Sequence, residues 1–409
     1  MKVAFYLKNN DFQDIDFTKV EYGNPGVGGS EYLAVLIPTL LSKSGKVSTT
    51  LFVNKKSKFY SGLDVKQIES EKDVFSYIED ESFDAFVVDA KKVSLDVVAR
   101  YPKIKFILWA HNFLQYKTLK YYEKMRNVVK IVNVGLEQMD LYRDMTFYDK
   151  ETFIYNVCPF PCINAKSFLP NNKRKHYVVY VGSLIPTKGF HLLAKAWPKV
   201  LASIPDAELF VIGSGNLYNH NTSLGKLGIA EEEYENLILE YIGEKSLNTV
   251  HFLGRMGNEK SDVLLNCKVG VPNPSGNSET FGITAVEMQY YGCQVVTKEC
   301  PGYIDTVYNT KALYKKESDL AKYIIRALND MDYDEHLACE YVKSLFSKET
   351  IVPQWEFLLS HIDKRNVPKI RKGYHLKYLK ECIRIVIPKR IRKNMLPVEF
   401  LFSHFLNKL

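Results

Sequence analysis

Residues 269–292 read VGVPNPSGNSETFGITAVEMQYYG. A short apolar run ends near Val271. A loop rich in Pro, Asn, Ser and Gly follows, and apolar residues then return at helical spacing after Gly282. Ile283, Val286, Glu287 and Tyr290 stand at i, i+3, i+4 and i+7, so they share one helix face. Strand, loop and helix in this order are the repeating piece of a parallel sheet covered by helices. The free N–H groups at a helix start form an anion site, and Gly282 lets a ligand approach the backbone closely. Glu279 stands just ahead of that start and Glu287 lies inside the helix. A carboxylate on a buried face needs hydrogen-bond partners. Sugar and ribose hydroxyls would supply them, one glutamate serving each.

The same pattern extends in both directions. Near-continuous apolar runs, as expected of strands buried on both faces, predict strands at Val3–Leu7, Val47–Val53, Ala85–Asp89, Lys105–Trp109, Lys130–Val134 and Phe153–Val157. A helix over Ser30–Leu41 separates the first two. The polar run Asn171–Lys175 reads as an interdomain linker. A second series follows it: strands at Tyr177–Val181, Leu209–Ile212, Val250–Leu253, Val269–Val271 and Val295–Thr297, with helices from His191 and Gly282. Helical stretches near Ser318–Met331, Glu335–Phe346 and Glu349–Ile362 close the body. The expected fold is α/β: two Rossmann-like, doubly wound domains facing a central cleft, with a helical C-terminal extension. Residues 1–165 form the first domain, 177–350 the second, 351–365 a closing helix and 366–409 a tail. Ligands of such sheets bind at the C-terminal ends of the strands.

Other segments carry residue types suited to the same chemistry. Val179–Gly189 reads as strand, tight turn, Lys188 and Gly189, then helix, and Lys188 is a flexible point charge suited to a phosphate. Ala207–Gly215 is a strand ending in Gly213-Ser214-Gly215, Val250–Gly254 is followed by Arg255, and Pro301–Asp305 is a Gly-containing turn. Gly26-Val27-Gly28-Gly29-Ser30-Glu31 opens the first helix. A dinucleotide fingerprint would need a third Gly at Glu31 and a turn directly after the strand, so that reading is rejected. His111 follows the strand Lys105–Trp109. Asp14-Ile15-Asp16 and Asp332-Tyr333-Asp334 read as turns and surface, and no metal site is expected. The cysteines are scattered, with no second pair at metal-ligand spacing after Cys158 and Cys162, and read as reduced thiols.

Glu279 and Glu287, with Phe281-Gly282 between them, resemble the paired-glutamate motif of family 4 retaining glycosyltransferases, group 1 enzymes of GT-B architecture. The segments around Lys188, Gly213, Gly254 and Gly302 are similar to that family in order and spacing. The resemblance implies a nucleoside diphosphate sugar as donor and transfer to an acceptor hydroxyl with retention of configuration; no cofactor is expected, and no required metal, since both Asp-x-Asp segments read as turns and surface. It implies that Glu279 contacts the donor sugar and Glu287 the ribose. Thr280, Phe281 and Gly282 would lie by the sugar and diphosphate. Lys188 would hold the diphosphate, and Gly28 and Gly29 would face diphosphate and acceptor. His111 would point toward the acceptor or the reacting sugar. Many members carry Arg where this chain has Ser183, which weakens the grip on the diphosphate unless Arg255 compensates. His111, Lys188 and Glu279 are the expected catalytic residues. A non-catalytic partner subunit of the same fold, or a nucleotide-sugar epimerase, is the alternative. A phosphorylase is disfavoured because no pyridoxal-phosphate lysine context is found.

Charge sets one segment apart. The 409 residues carry a net charge of +8, yet Lys364–Leu409 hold 13 Lys and Arg against two acids, leaving the body near neutrality. Within 366–409, Arg371, Lys372, Lys377, Lys380, Arg384, Lys389, Arg390, Arg392 and Lys393 interleave with Tyr and aliphatic residues, ahead of an apolar end at Phe400, Phe402 and Phe405. That mixture suits an anionic membrane surface and a glycan or lipid-linked acceptor, as in bacterial surface-polysaccharide assembly. Nucleic acid is a poorer partner, because no recognition motif accompanies the charge. No apolar run reaches the roughly 18 residues of a spanning helix. The N-terminus reads as a first strand, not a signal peptide. The expectation is a cytoplasmic protein, peripheral on the inner face of the cell membrane.

Overall fold

The computed structural model describes residues 1–10, 15–142, 148–161, 169–215, 223–257 and 259–364, together with Ile383, residues 386–388 and Ile391. The chain forms two compact units. The first gathers Met1–Thr18, Leu33–Tyr155 and the stretch from Val352 onward, and the second Lys19–Tyr32 and Asn156–Ile351.

The first unit holds a seven-stranded sheet. Its strands are β1 (Lys2–Leu7), β2 (Ser48–Val53), β3 (Asp64–Gln67), β4 (Ala85–Asp89), β5 (Phe106–Ala110), β6 (Val128–Asn133) and β7 (Glu151–Phe153), in the order β3-β2-β1-β4-β5-β6-β7. Every pairing is parallel, for example Phe5 opposite Leu51 and Val87 opposite Ile107. All five residues of β5 are buried, which is why the central strands are apolar without alternation. The edge strand β3 has no buried residue, so no apolar run marked it in the sequence. Phe75, Phe86 and Phe106 meet in tilted and edge-to-face contacts on one side of the sheet.

The second unit repeats the plan with five parallel strands: β8 (Tyr177–Val181), β9 (Glu208–Ile212), β10 (Val250–Gly254), β11 (Val269–Gly270) and β12 (Gln294–Val295). The order is β10-β9-β8-β11-β12. Counting from the first strand outward this is 3-2-1-4-5, so the order reverses between β8 and β11, and ligands of such sheets bind at that reversal. Phe190, Leu193, Trp197 and Val200 of the helix Phe190–Ser203 pack onto one face of the sheet. Two further parallel segments, Thr297–Lys298 and Leu313–Tyr314, pair beside it.

The chain changes unit between Tyr155 and Asn156, ahead of the polar run Asn171–Lys175 that the sequence presents as a linker. That run is built into the second unit. Arg174 is buried, and its guanidinium donates to the carbonyls of Leu169, Cys267 and Tyr291. Asn171 is buried too and donates to the Asp330 carbonyl at 2.8 Å. Polarity signals a linker only where the polar groups meet water, and here they meet backbone carbonyls. The last helix, Lys348–Ser360, contributes to the first unit from Val352, where Trp355 packs edge-on against Trp109 at 4.9 Å. Most of the basic tail at 366–409 lies outside the described residues. Among the described residues, no helix is long and apolar enough to cross a membrane.

Candidate functional site

The loops that follow β8 and β11 are joined side by side at the reversal point. After β8 the chain turns through Pro186–Lys188 to Gly189, which adopts φ +71° and begins the helix Phe190–Ser203. A Cβ on Gly189 would come within 2.7 Å of Ser275, so glycine is needed there for backbone conformation and for close approach alike. Ser275 Oγ lies 2.8 Å from the Thr187 carbonyl and 2.7 Å from Asn273 Oδ1, and its one proton is shared between these two acceptors. Asn273 Nδ2 donates to Glu279 Oε2 at 3.0 Å, and Lys188 Nζ reaches the same oxygen at 3.2 Å. A continuous polar chain therefore runs from the β8 loop through Ser275 and Asn273 to Glu279, and Lys188 closes it.

The β11 loop is held in a fixed, partly left-handed path. Gly276, Ser278 and Gly282 have φ of +65°, +56° and +81°. For Ser278 this conformation costs on the order of 1 kcal/mol. Thr297 Oγ1 bonds the carbonyls of Pro272 and Asn273, and the Tyr314 hydroxyl donates to the Pro274 carbonyl. These anchors set the direction in which Glu279 leaves the loop.

Gly282 serves first the fold. It precedes the helix Ile283–Tyr290, and a Cβ there would meet the Tyr303 ring at 2.5 Å. Tyr303 is fully buried, its hydroxyl has no hydrogen-bond partner among the described residues, and burial raises its pKa well above the ordinary value. Phe281 turns its ring into the core, edge-to-face with Phe346 at 5.2 Å, and Thr280 is buried beside it. Cys300 contacts the Glu279 carbonyl, and burial pushes its thiol up to about 12, so it remains a neutral neighbour.

Glu287 is half-buried and paired with Lys260 Nζ at 2.9 Å, from the helix Lys260–Asn266. Sequence reading missed both Lys260 and Asn273. Lys260 lies on a separate helix, so no local spacing connects it to Glu287. Asn273 looks like an ordinary loop residue until its amide is seen on Glu279.

The remaining expected residues are dispersed. Ser183 is buried, and its hydroxyl donates to the Ser214 carbonyl at 3.1 Å, tying the β8 and β9 loops together. Arg255 follows β10 and is exposed, near Gly26: a Cβ on Gly26 would lie 3.9 Å from its guanidinium. In that segment Asn24 Oδ1 accepts from the N–H groups of Gly26 and Val27. A Cβ on Gly28 would strike the Glu31 carboxylate at 2.2 Å, whereas one on Gly29 would meet nothing. His111 belongs to the first unit, just past β5, where its ring lies 4.3 Å from the Trp109 ring. Asp334 caps the helix Glu335–Phe346 by accepting from Leu337 N, and Asp16 accepts from the backbone and hydroxyl of Thr18. Asp14 lies outside the described residues. A pocket of about 330 Å³ in the first unit, between β7 and the helix Lys348–Ser360, is lined by none of these residues.

The architecture matches known proteins over most of the chain. A sucrose-phosphate synthase from Thermosynechococcus elongatus superimposes with a TM-score of 0.65 at 17% identity, covering 88% of this chain and 99% of that one. A glycosyltransferase from Rickettsia africae gives a TM-score of 0.63 at 13% identity, covering 88% and 98%. The fold is that of the GT-B glycosyltransferases, built from two parallel α/β units. Residues 164–340 match the family described as glycosyl transferases group 1, so the second unit carries a group 1 glycosyltransferase domain. In sequence, the GPI3 subunit of phosphatidylinositol N-acetylglucosaminyltransferase from Saccharomyces cerevisiae is 27% identical over 162 residues, 39% of this chain and 32% of that protein. A phosphatidyl-myo-inositol mannosyltransferase from Propionibacterium freudenreichii is 27% identical over 128 residues, 31% and 26% of the two chains. The matched stretch thus spans a third or less of either relative.

Proposed function

We propose that this protein transfers a sugar from a nucleoside diphosphate sugar to an acceptor hydroxyl, with retention of configuration. The observation that carries the reading is the Lys188–Glu279 pair, anchored by Asn273, at the strand-order reversal of the group 1 domain. Glu279 orients the donor sugar and Glu287 accepts from the ribose hydroxyls. The bond from the anomeric carbon to the diphosphate breaks, and its electron pair leaves on the phosphate oxygen. Lys188 and the first-turn N–H groups of the helix Ile283–Tyr290 stabilise that charge, a preorganised electrostatic role that needs no metal. The acceptor oxygen bonds the anomeric carbon and its proton leaves with the diphosphate. His111 is assigned to the acceptor side.

For the acceptor, a lipid-linked hydroxyl is favoured. Both sequence relatives are named for phosphatidylinositol substrates, and the tail at 366–409 has the composition of a segment that lies on anionic lipid. Both features support a role in glycoconjugate or surface-polysaccharide synthesis, peripheral on the inner face of the membrane.

The test combines binding with turnover. A ligand that binds the folded state alone raises the melting temperature. One nucleoside diphosphate and its sugars should stabilise the protein, and Glu287→Ala should lose the shift. Transfer to a lipid-linked acceptor should follow, undiminished by chelator and lost in Lys188→Ala. Donor binding without transfer to any acceptor would favour a non-catalytic partner subunit. Loss of transfer with chelator would overturn the metal-free mechanism.

A further inference from the structure

The two glutamates that frame the β11 loop and helix are alike in one respect: among the described residues each holds a single lysine. Lys188 sits on Glu279 at 3.2 Å and Lys260 on Glu287 at 2.9 Å, all four side chains being partly exposed. The Arg174 guanidinium borders the Glu287 cluster, bonded to the Tyr291 carbonyl and acting on Cys293, and Lys343 stands over the Tyr290 ring at 5.4 Å. Tyr32, Cys158, Tyr291 and Cys293 lie close enough to sense its charge, and burial raises all four pKa values, so these groups stay protonated and neutral. Asp262 and Tyr290 border the same cluster through Tyr291. Lys260 contacts Oε1, and among the described residues Glu287 Oε2 makes no hydrogen bond.

We propose that Lys260 is a positioning residue for nucleotide recognition: it holds Glu287 by one oxygen so that the other accepts from the vicinal hydroxyls of a ribose. This rests on the donor-site reading above and adds a residue to it. An ionised carboxylate only accepts hydrogen bonds, and a vicinal diol offers two donors. A glutamate side chain free to rotate pays rotamer entropy on binding. One tethered by an ammonium is already oriented, and Lys260 is the cation in direct contact with it, whereas Arg174 is taken up by the Leu169, Cys267 and Tyr291 carbonyls. The pair therefore reads the sugar of the nucleotide, not its phosphates. It selects ribonucleotides over analogues that lack the diol.

The experiment compares, by calorimetry, the ribonucleoside 5′-diphosphate that binds the wild-type protein best with its 2′,3′-dideoxy counterpart. Removing a hydrogen bond to a charged group should make the dideoxy compound about tenfold weaker or more on the wild type. In Lys260→Met that ratio should fall toward one, because ribonucleotide affinity drops while dideoxy affinity holds. Lys260→Arg should restore most of the ratio, which a purely structural lysine would not require. Equal losses on both ligands in Lys260→Met would overturn the proposal, leaving Lys260 a phosphate charge or a fold contact, with the donor site intact. An unchanged ratio would overturn it as well. If the wild-type protein binds no nucleoside diphosphate, the donor-site reading falls and this proposal falls with it.

Discussion

At Glu279 two donors, Lys188 Nζ and Asn273 Nδ2, converge on one carboxylate oxygen. Lysine supplies charge but swings on a flexible stem, whereas Asn273 is itself pinned by Ser275 and so supplies direction. Asn273→Ala should therefore lower turnover about tenfold to a hundredfold, the worth of a hydrogen bond to a charged group. Its melting temperature should fall as well, by the worth of about 1–3 kcal/mol, because Asn273 is buried and also bonds Ser275 and the Asn277 carbonyl. Steady-state kinetics with a donor sugar checks this, and unchanged turnover would remove Asn273 from the site. Gly282→Ala is a second case. Its φ of +81° and the Tyr303 ring 2.5 Å from the added Cβ predict a stability loss of about 1–3 kcal/mol, measurable by denaturant unfolding. The glutamates, Lys188 and the special glycines were legible in the sequence, because their chemistry follows from residue type and local spacing. Asn273, Lys260 and the burial of Ser183 were not, because each depends on which loop or helix the fold brings alongside.

Glu151 opens the edge strand β7, fully buried, with Asn133 of β6 donating to its carboxylate. Burial raises its pKa well above the ordinary carboxylate value, and the Asn133 bond only partly offsets this. The folded state thus keeps a proton that the unfolded chain releases above about pH 4.3. Stability from this group is full below the unfolded pKa and is lost as pH rises toward the folded one. Glu151→Gln, which does not titrate and still offers Asn133 an acceptor, should gain melting temperature over wild type at pH 7. That gain should shrink as pH falls to 4. A constant difference across the range would refute the assignment. Elements of this kind show why most strands could be read from sequence. β4 and β8 run over the residues that apolar patterning picks out, since strands covered on both faces leave uninterrupted hydrophobic runs. β3 was missed because it is only partly covered. β7 begins earlier than the apolar run suggested, because its first residue is a buried glutamate that patterning counts as polar.

On the scale of the whole molecule, alternation of strands and helices revealed two units but not their membership. Lys19–Tyr32 joins the second unit and the chain from Val352 joins the first, choices made by tertiary packing such as Trp355 on Trp109. The basic tail is a different kind of signal, carried by composition alone. Among its described residues, Val386 and Ile391 are exposed apolar side chains. Lysines and arginines near an anionic surface each contribute about 1 kcal/mol, falling off within a Debye length. The tail's charge should therefore make vesicle binding depend on lipid charge and on salt. The full chain should sediment with vesicles rich in anionic lipid, less so with neutral ones, and should be released as ionic strength rises. Removing residues 366–409 should abolish this sedimentation, slow transfer to a vesicle-borne acceptor and leave the thermal shift with nucleoside diphosphate unchanged. A water-soluble acceptor of the same hydroxyl class should be used equally by both forms, because it needs no surface. Equal vesicle binding with and without the tail would refute the assignment. Loss of the nucleotide shift on truncation would show that the tail instead supports the donor-binding unit.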